Sequence, residues 1–476
     1  MFTLNDILAS NGNDARLQSA TPINYELVFP SAHHDSRQIG RDDLFVAIRG
    51  EHVDGHSFIP AVAQQGAAAV LCAEPAPDEE LPANFLQIVV PDVVGALHNT
   101  ARVRTQRQRN TTLIGITGSN GKTSTKEAAA AVLSQQAPTL KTFASYNNEV
   151  GYPLTLLRLE PQHRYAVLEM GAQWVGELAW LCETIAAPNW SIITNVGAAH
   201  LEYFGSQERV VTAKSELVQA LAHNGIAILN YDDMNVRGMS EKTQARVLSY
   251  GRGEQAEVRG SDIGGDTLRG RNFTLSYHGQ QVRVQLRLPG EHGVTTALAA
   301  AAAGCAAGIS LDTIGAALES LAPAKGRGEI KPGPNGSTLI DDTYNANRQS
   351  ILAIIQTMHE TTIEQDGQRW AVLGDIFELG HYSRAEHRAC GEALPGKVDY
   401  LVAVGDQARY YVEGAIRAGM PAHNIYYFDA DVEDDAELTA AKQDAAALLK
   451  QHVRTPDLVL IKGSRGMRME TMLSEL

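Results

Sequence analysis

The stretch Leu113-Ile114-Gly115-Ile116-Thr117-Gly118-Ser119-Asn120-Gly121-Lys122-Thr123-Ser124 constrains this chain more tightly than any other. Its first half is short, apolar and β-branched, and reads as a buried parallel strand. Gly118 and Gly121 let the backbone turn tightly, so that successive N–H groups can point into one concavity suited to phosphate oxygens. Residues 126–133 are strongly helix-forming, which sets the loop at a helix N-terminus, where the dipole also favours an anion. Lys122 can reach terminal phosphates, and the Thr123 hydroxyl can ligate Mg²⁺. The full phosphate-loop spacing would put glycine at 116, where Ile116 stands, so the match is Gly-x-x-Gly-Lys-Thr. A turn that happens to carry a lysine is the alternative, weakened by the strand before and the helix after. The stretch is read as a nucleoside triphosphate site.

At 476 residues the chain exceeds one ordinary core, and length suggests about three domains. A net charge of −15 argues against general nucleic-acid binding, which needs concentrated lysine and arginine. Any anionic ligand must therefore be held locally. No apolar run approaches the ~20 residues of a membrane span. Met1-Phe2-Thr3-Leu4-Asn5-Asp6 lacks the basic and apolar parts of a signal peptide. Cys72, Cys182, Cys305 and Cys390 lie far apart without metal-ligand spacing. Buried free thiols in a reducing, cytoplasmic setting are the expectation.

Residues 1–105 read as an α/β unit without phosphate-loop signals. Arg37, in Asp35-Ser36-Arg37, could fork onto a phosphate, although alone that turn reads first as surface. His33 and His34 read as exposed loop residues. Residues 106–322 alternate strand-like segments (165–169, 190–196, 226–229) with helical ones, which predicts a doubly wound parallel sheet with ligands at the strand carboxyl ends. Glu169, Asn195 and His200 stand at such ends, and a carboxylate and an imidazole beside phosphates suit Mg²⁺. Lys214-Ser215-Glu216 reads as a solvated helix face. Residues 272–277 and 281–286 flank His278-Gly279-Gln280 as a hairpin. Residues 322–328 are either a linker or a hinge carrying Arg327 into the phosphate site. Residues 323–476 again alternate strands (337–341, 370–373, 400–404, 458–461) and helices, with polar clusters at 341–347, 374–375 and 462–465. These predict a second binding rim facing the nucleotide domain.

With the phosphate loop stand Asn147-Asn148-Glu149-Val150-Gly151-Tyr152-Pro153, Glu169-Met170-Gly171-Ala172, residues 199–206, residues 341–347 and Gly374-Asp375-Ile376-Phe377-Glu378-Leu379-Gly380. On these motifs the chain resembles the Mur ligase family of peptidoglycan synthesis over essentially its whole length. The resemblance implies an α/β enzyme of three domains: an N-terminal UDP-substrate-binding domain (1–105), a central ATP-binding domain with a P-loop-type sheet (106–322) and a C-terminal Rossmann-like domain (323–476). It implies an ATP-dependent amide ligase, cytoplasmic and monomeric, using Mg²⁺. The substrates implied are UDP-N-acetylmuramoyl-tripeptide and D-alanyl-D-alanine, joined through an acyl phosphate. By the same resemblance Thr117, Gly118, Ser119, Asn120, Gly121, Lys122, Thr123, Ser124, Arg327 and Asp342 serve ATP. Lys122, Glu169, His200 and Lys214 serve catalysis; Thr123, Glu169, His200 and a carbamylated Lys214 would hold metal. Ser36, Arg37, Asp54, His56, Asn147, Asn148, Tyr344 and Asn345 would face the substrates.

Two departures stand out. Thr296 occupies the position of a family asparagine near the nucleotide base, and Arg348 replaces a proline after Asn345-Ala346-Asn347. A sister ligase adding diaminopimelate or lysine, or glutamate to folate, is the nearest rival. The Asp-Asn-Pro-Arg motif of the diaminopimelate enzyme is absent, and Asp342-Thr343-Tyr344-Asn345 stands instead. A nucleotide-binding regulatory module without chemistry is the distant one.

Overall fold

The computed structural model describes residues 1–476 except 51–52, 198–200 and 365, and the side chain of Leu201 is likewise outside the description. The largest sheet has nine strands in the order Gln280–Gln285, Asn272–Tyr277, Val258–Gly264, Arg246–Gly251, Ile226–Asn230, Trp190–Ile193, Thr112–Thr117, Tyr165–Glu169 and Thr139–Lys141. From Val258–Gly264 to Thr139–Lys141 every pairing is parallel. The predicted parallel sheet is extended at its far edge by the antiparallel hairpin. Tyr277 pairs with Gln280, which leaves His278 (φ 48°) and Gly279 (φ 78°) as a two-residue turn rather than the three residues expected. Two consecutive positive φ values match the right-handed twist of the strands it joins.

Alternation along the phosphate-loop strand explains why this sheet is covered on both faces. Ile114 and Ile116 point into one core with Val167, Ile192 and the alanines of the helices Lys122–Leu133 and Gly290–Ala306. Leu113 points into the other, with Leu168, Ile193 and Leu217 of the helix Gln207–Gln219. Successive side chains of a strand face opposite ways, so a continuous apolar run needs two cores.

The N-terminal sheet has five strands in the order Arg16–Gln18, Leu86–Val89, Ala69–Cys72, Leu44–Val46 and Ala32–His33, of which Arg16–Gln18 alone pairs antiparallel. The C-terminal sheet has six, in the order Glu329–Pro332, Thr338–Asp342, Leu458–Lys462, Arg369–Gly374, Tyr400–Val404 and Ile425–Phe428. Among the described residues, only Glu329–Pro332 runs antiparallel here. The four cysteines are free and buried, and His33 is a half-buried strand residue rather than an exposed loop one. Among the described residues, no helix is long and apolar enough to cross a membrane.

Candidate nucleotide and metal site

A cavity of about 830 Å³ opens where the carboxyl ends of the central sheet meet the C-terminal domain. The phosphate loop forms its floor. Gly121 caps the helix Lys122–Leu133 with φ 78°, a left-handed conformation that costs glycine little. Gly118 (φ 151°) is needed for closeness as well: a β-carbon there would lie 1.9 Å from Thr194 Oγ1. The first-turn N–H groups of Lys122, Thr123 and Ser124 have no carbonyl partner within the helix, which leaves them for an anion. Lys122 Nζ donates to the Gly118 carbonyl at 2.7 Å. Burial pushes its pKa down, a shift opposed by Glu169 and reinforced by Arg327.

Glu169 ends its strand beside this loop and is only 1% exposed. Asn147 Nδ2 donates to its Oε1 at 2.9 Å, while its Oε2 has no hydrogen-bond partner among the described residues. Lys126 Nζ lies 3.9 Å from that oxygen and donates instead to the Ala144 carbonyl at 2.6 Å. Leaving a buried carboxylate oxygen unpartnered is costly, and a hard cation between Glu169 and Thr123 would satisfy it. His200 lies outside the described residues.

Lys214 corrects the expectation of a solvated face. It is 2% exposed and Glu216 7%, because the helix Gln207–Gln219 is covered on two sides, Glu216 facing the start of the helix Glu177–Thr184. Glu216 accepts from the Gly176 and Ala179 N–H groups at 2.6 and 3.1 Å. The Lys214 ammonium lies 5.8 Å from the Phe204 ring centre. Burial first and Lys122 second push its pKa down to about 7.

The other wall comes from the C-terminal domain. Arg327 Nη2 donates to Thr123 Oγ1 at 2.9 Å, so the 322–328 segment does carry this arginine to the phosphate loop. Its guanidinium stacks 4.0 Å from the Tyr344 ring centre, and the Tyr344 hydroxyl donates to Ser145. Asp342 lines the cavity and accepts from Lys462 Nζ at 2.6 Å. The same ammonium donates to the Asn345 carbonyl at 2.8 Å, and Asn345 Oδ1 accepts from the Arg465 N–H. His292, Thr295 and Thr296 also line the cavity, with Asn230, Tyr250 and Arg252, and Arg252 pairs with Glu291 beside His292. Thr296 is thus at the site, although as a threonine. Sequence reasoning reached this part of the cavity through Thr296 but singled out neither Lys126 nor Asn230, Tyr250 and Arg252. A lone lysine inside an alanine-rich helix was the available signal for Lys126.

Ser119, Asn120, Asn147, Tyr344 and Asn345 also line the cavity, whereas Thr117 and Asn148 do not, the Asn148 Oδ1 accepting from the Gly151 N–H at 3.0 Å. Ser36, Arg37, Asp54 and His56 lie outside it, on the N-terminal domain. Arg37 forks onto Asp35 at 2.9 and 2.8 Å and holds that carboxyl well below its ordinary range. Asp54 accepts from the His56 N–H at 3.0 Å and pairs with its ring, with the same consequence. Gln38 Nε2 donates to the Tyr146 hydroxyl at 2.6 Å, tying this loop to the segment that carries Asn147.

A phosphate-gripping loop, an under-coordinated carboxylate and a C-terminal domain reaching into the same cleft define a nucleotide-dependent, multidomain α/β protein. Residues 116–304 match the Mur ligase middle domain, 326–465 the Mur ligase glutamate ligase domain, and 32–105 the Mur ligase family catalytic domain. The chain belongs to the Mur ligase family. It is 37% identical over 454 residues to the UDP-N-acetylmuramoyl-tripeptide–D-alanyl-D-alanine ligase of Mycobacterium bovis, spanning 91% of this chain and 89% of that one. With the enzyme of the same name from Escherichia coli it shares 36% over 449 residues, 93% and 92% of the two chains. A crystal structure of MurF from Acinetobacter baumannii superposes with a TM-score of 0.83 at 32% identity, covering 100% of this chain and 98% of that one. MurF ligase from Thermotoga maritima in complex with ADP gives 0.77 at 26% identity, covering 94% and 97%.

Proposed function

We propose that this chain is an ATP-dependent ligase that joins D-alanyl-D-alanine to UDP-N-acetylmuramoyl-tripeptide in peptidoglycan precursor synthesis. The observation that carries the chemistry is the buried Glu169 carboxylate beside a phosphate loop, one oxygen without a hydrogen bond among the described residues. A protein that merely bound a nucleotide would have no need to strand a carboxylate there. Thr123 and Glu169 would hold Mg²⁺, with His200 as a further contact. When bound, the ion supplies neutralisation of phosphate charge.

The tripeptide carboxylate attacks the γ-phosphorus of ATP, the β–γ bridging bond breaks, and ADP leaves an acyl phosphate behind. The dipeptide amine then attacks the acyl carbon; phosphate departs and the nitrogen loses its proton. The first step brings two anions together. Lys122, Arg327 and the helix N-terminus offset that repulsion with charge and dipoles fixed beforehand. The second step must outrun hydrolysis, and the contact of Arg327 with Thr123 closes the cleft over the reacting groups. Lys214 takes part as a carbamate: only a neutral amine adds CO₂, and burial supplies that neutrality near pH 7. Ser36, Arg37, Asp54 and His56 hold the UDP end, while Asn147, Tyr344 and Asn345 face the joining ends and Asn148, bonded to Gly151, supports the segment that carries Asn147. On this reading the protein is a cytoplasmic monomer; a cleft with both walls from one chain supports the second point.

An ADP-release assay with a panel of amines tests this. D-alanyl-D-alanine, but not diaminopimelate, lysine or glutamate, is expected to stimulate release when UDP-muramoyl-tripeptide is present. Stimulation by one of the others assigns a sister reaction, and no stimulated release by any amine refutes the ligase reading.

A further inference from the structure

Asn120, between the two loop glycines, divides its hydrogen bonds between the two walls of the cleft. Its backbone is engaged inside the central domain: the N–H donates to Asn195 Oδ1 at 2.9 Å, and the carbonyl accepts from Thr194 Oγ1 at 2.6 Å and Asn195 Nδ2 at 3.0 Å. Its side chain is engaged by the C-terminal domain. Asn120 Nδ2 donates to Gln349 Oε1 at 2.8 Å, and Asn347 Nδ2 donates to Asn120 Oδ1 at 2.6 Å.

Both C-terminal partners are held in place. Asn347 caps the helix Arg348–Glu360 through a reciprocal pair with Ser350, with Oδ1 accepting at 2.9 Å and its N–H donating at 3.1 Å. That leaves its Nδ2 aimed at the loop. Gln349 Oε1 sits against Gly197, where a β-carbon would come within 2.1 Å of it.

Resting on the ligase reading above, we propose that Asn347 and Gln349 are positioning residues that latch the apex of the phosphate loop to the docked C-terminal domain. Within the central domain the loop is anchored through Asn195, Thr194 and the reciprocal Ser119–Gly197 pair, which leaves the Asn120 side chain at its apex unheld. With the side-chain amide also clamped, the N–H groups of residues 121–124 stand fixed before the triphosphate arrives. Preorganisation of this kind is what makes backbone donors effective. The grip on the nucleotide and the docking of the far domain then become one event, because the same asparagine serves both.

The two bonds have opposite polarity, and this gives a charge-matched test on the full-length protein. Asn347→Asp keeps a good helix cap but turns an acceptor toward the Asn120 acceptor. Gln349→Glu keeps the acceptor that Asn120 needs. Each adds one negative charge near the loop, so their comparison isolates hydrogen-bond direction. The KM for ATP is expected to rise about tenfold more in Asn347→Asp than in Gln349→Glu, in line with one hydrogen bond turned into an opposed pair of acceptors. The KM for D-alanyl-D-alanine should stay level in both. In an Asn120→Ala background the difference between the two should vanish, because their common partner is gone. Equal effects of the two variants, or a difference that persists without Asn120, would overturn the latch. Calorimetric ATP binding on the same proteins separates the two readings. An unmutated chain that binds ATP yet forms no amide bond refutes the ligase reading, and the latch is then decided by ATP affinity in the same variants. A chain that binds no ATP refutes both.

Discussion

Replacing Lys214 with methionine should make the protein more stable and nearly inactive, and pH should tune the first effect. The side chain is 2% exposed. Its pKa falls from 10.5 to about 7, chiefly through burial and then through Lys122, with Glu177 and Glu216 only partly opposing. The unfolded chain holds this proton up to about 10.4, whereas the folded chain releases it near 7. Between those values the unfolded state binds more protons, so stability rises with pH. The penalty on folding is complete below about pH 7 and fades as pH climbs toward the unfolded value. At about 1.4 kcal/mol per pH unit, it weighs roughly 4 kcal/mol against the fold at pH 7, an upper bound. Methionine fills the same volume beside Phe204 without a charge. Thermal melts of Lys214→Met and the unmutated chain, in bicarbonate-free buffer from pH 7 to 10, should show a variant several degrees higher at pH 7. The gap should narrow steadily with pH, while amide formation at pH 7 falls by orders of magnitude. A gap independent of pH, or a variant that melts lower at pH 7, refutes the reasoning.

Other perturbations read other parts of the cleft. Lys122→Ala should lose turnover by orders of magnitude while its far-ultraviolet circular dichroism is unchanged; a near-full ligase rate would remove the loop from its central role. Gly118→Ala forces a β-carbon onto Thr194 Oγ1, so the loop must shift, and calorimetric ATP affinity should fall at least about tenfold; unchanged affinity would contradict the packing described. Arg327→Ala removes the donor to Thr123 and the stack on Tyr344, and should raise the KM for ATP by roughly ten- to a hundredfold. Stripping CO₂ from the assay should slow the unmutated enzyme, with recovery on adding bicarbonate, and leave the residual rate of Lys214→Met unaffected; an insensitive unmutated enzyme would rule out the carbamate.

The phosphate loop, its strand and its helix were legible from residues 113–133 alone, because glycine placement, apolar alternation and helix propensity are local properties. Strand ends such as Glu169 followed from the same reasoning, as did the two-domain composition of the cleft once the polar rims near 341–347 and 462–465 were noticed. Lys214 was misread because a Lys-x-Glu on a helix has no local mark of burial; the sheet packed against it decides its surroundings and hence its proton affinity. The unpartnered Glu169 oxygen, the Arg327–Thr123 bond and the clasp of Asn120 by Asn347 and Gln349 join residues separated by as many as 229 positions. Hydrogen bonds depend on distances of a few ångströms, and only the packing of the two sheets brings such residues within reach.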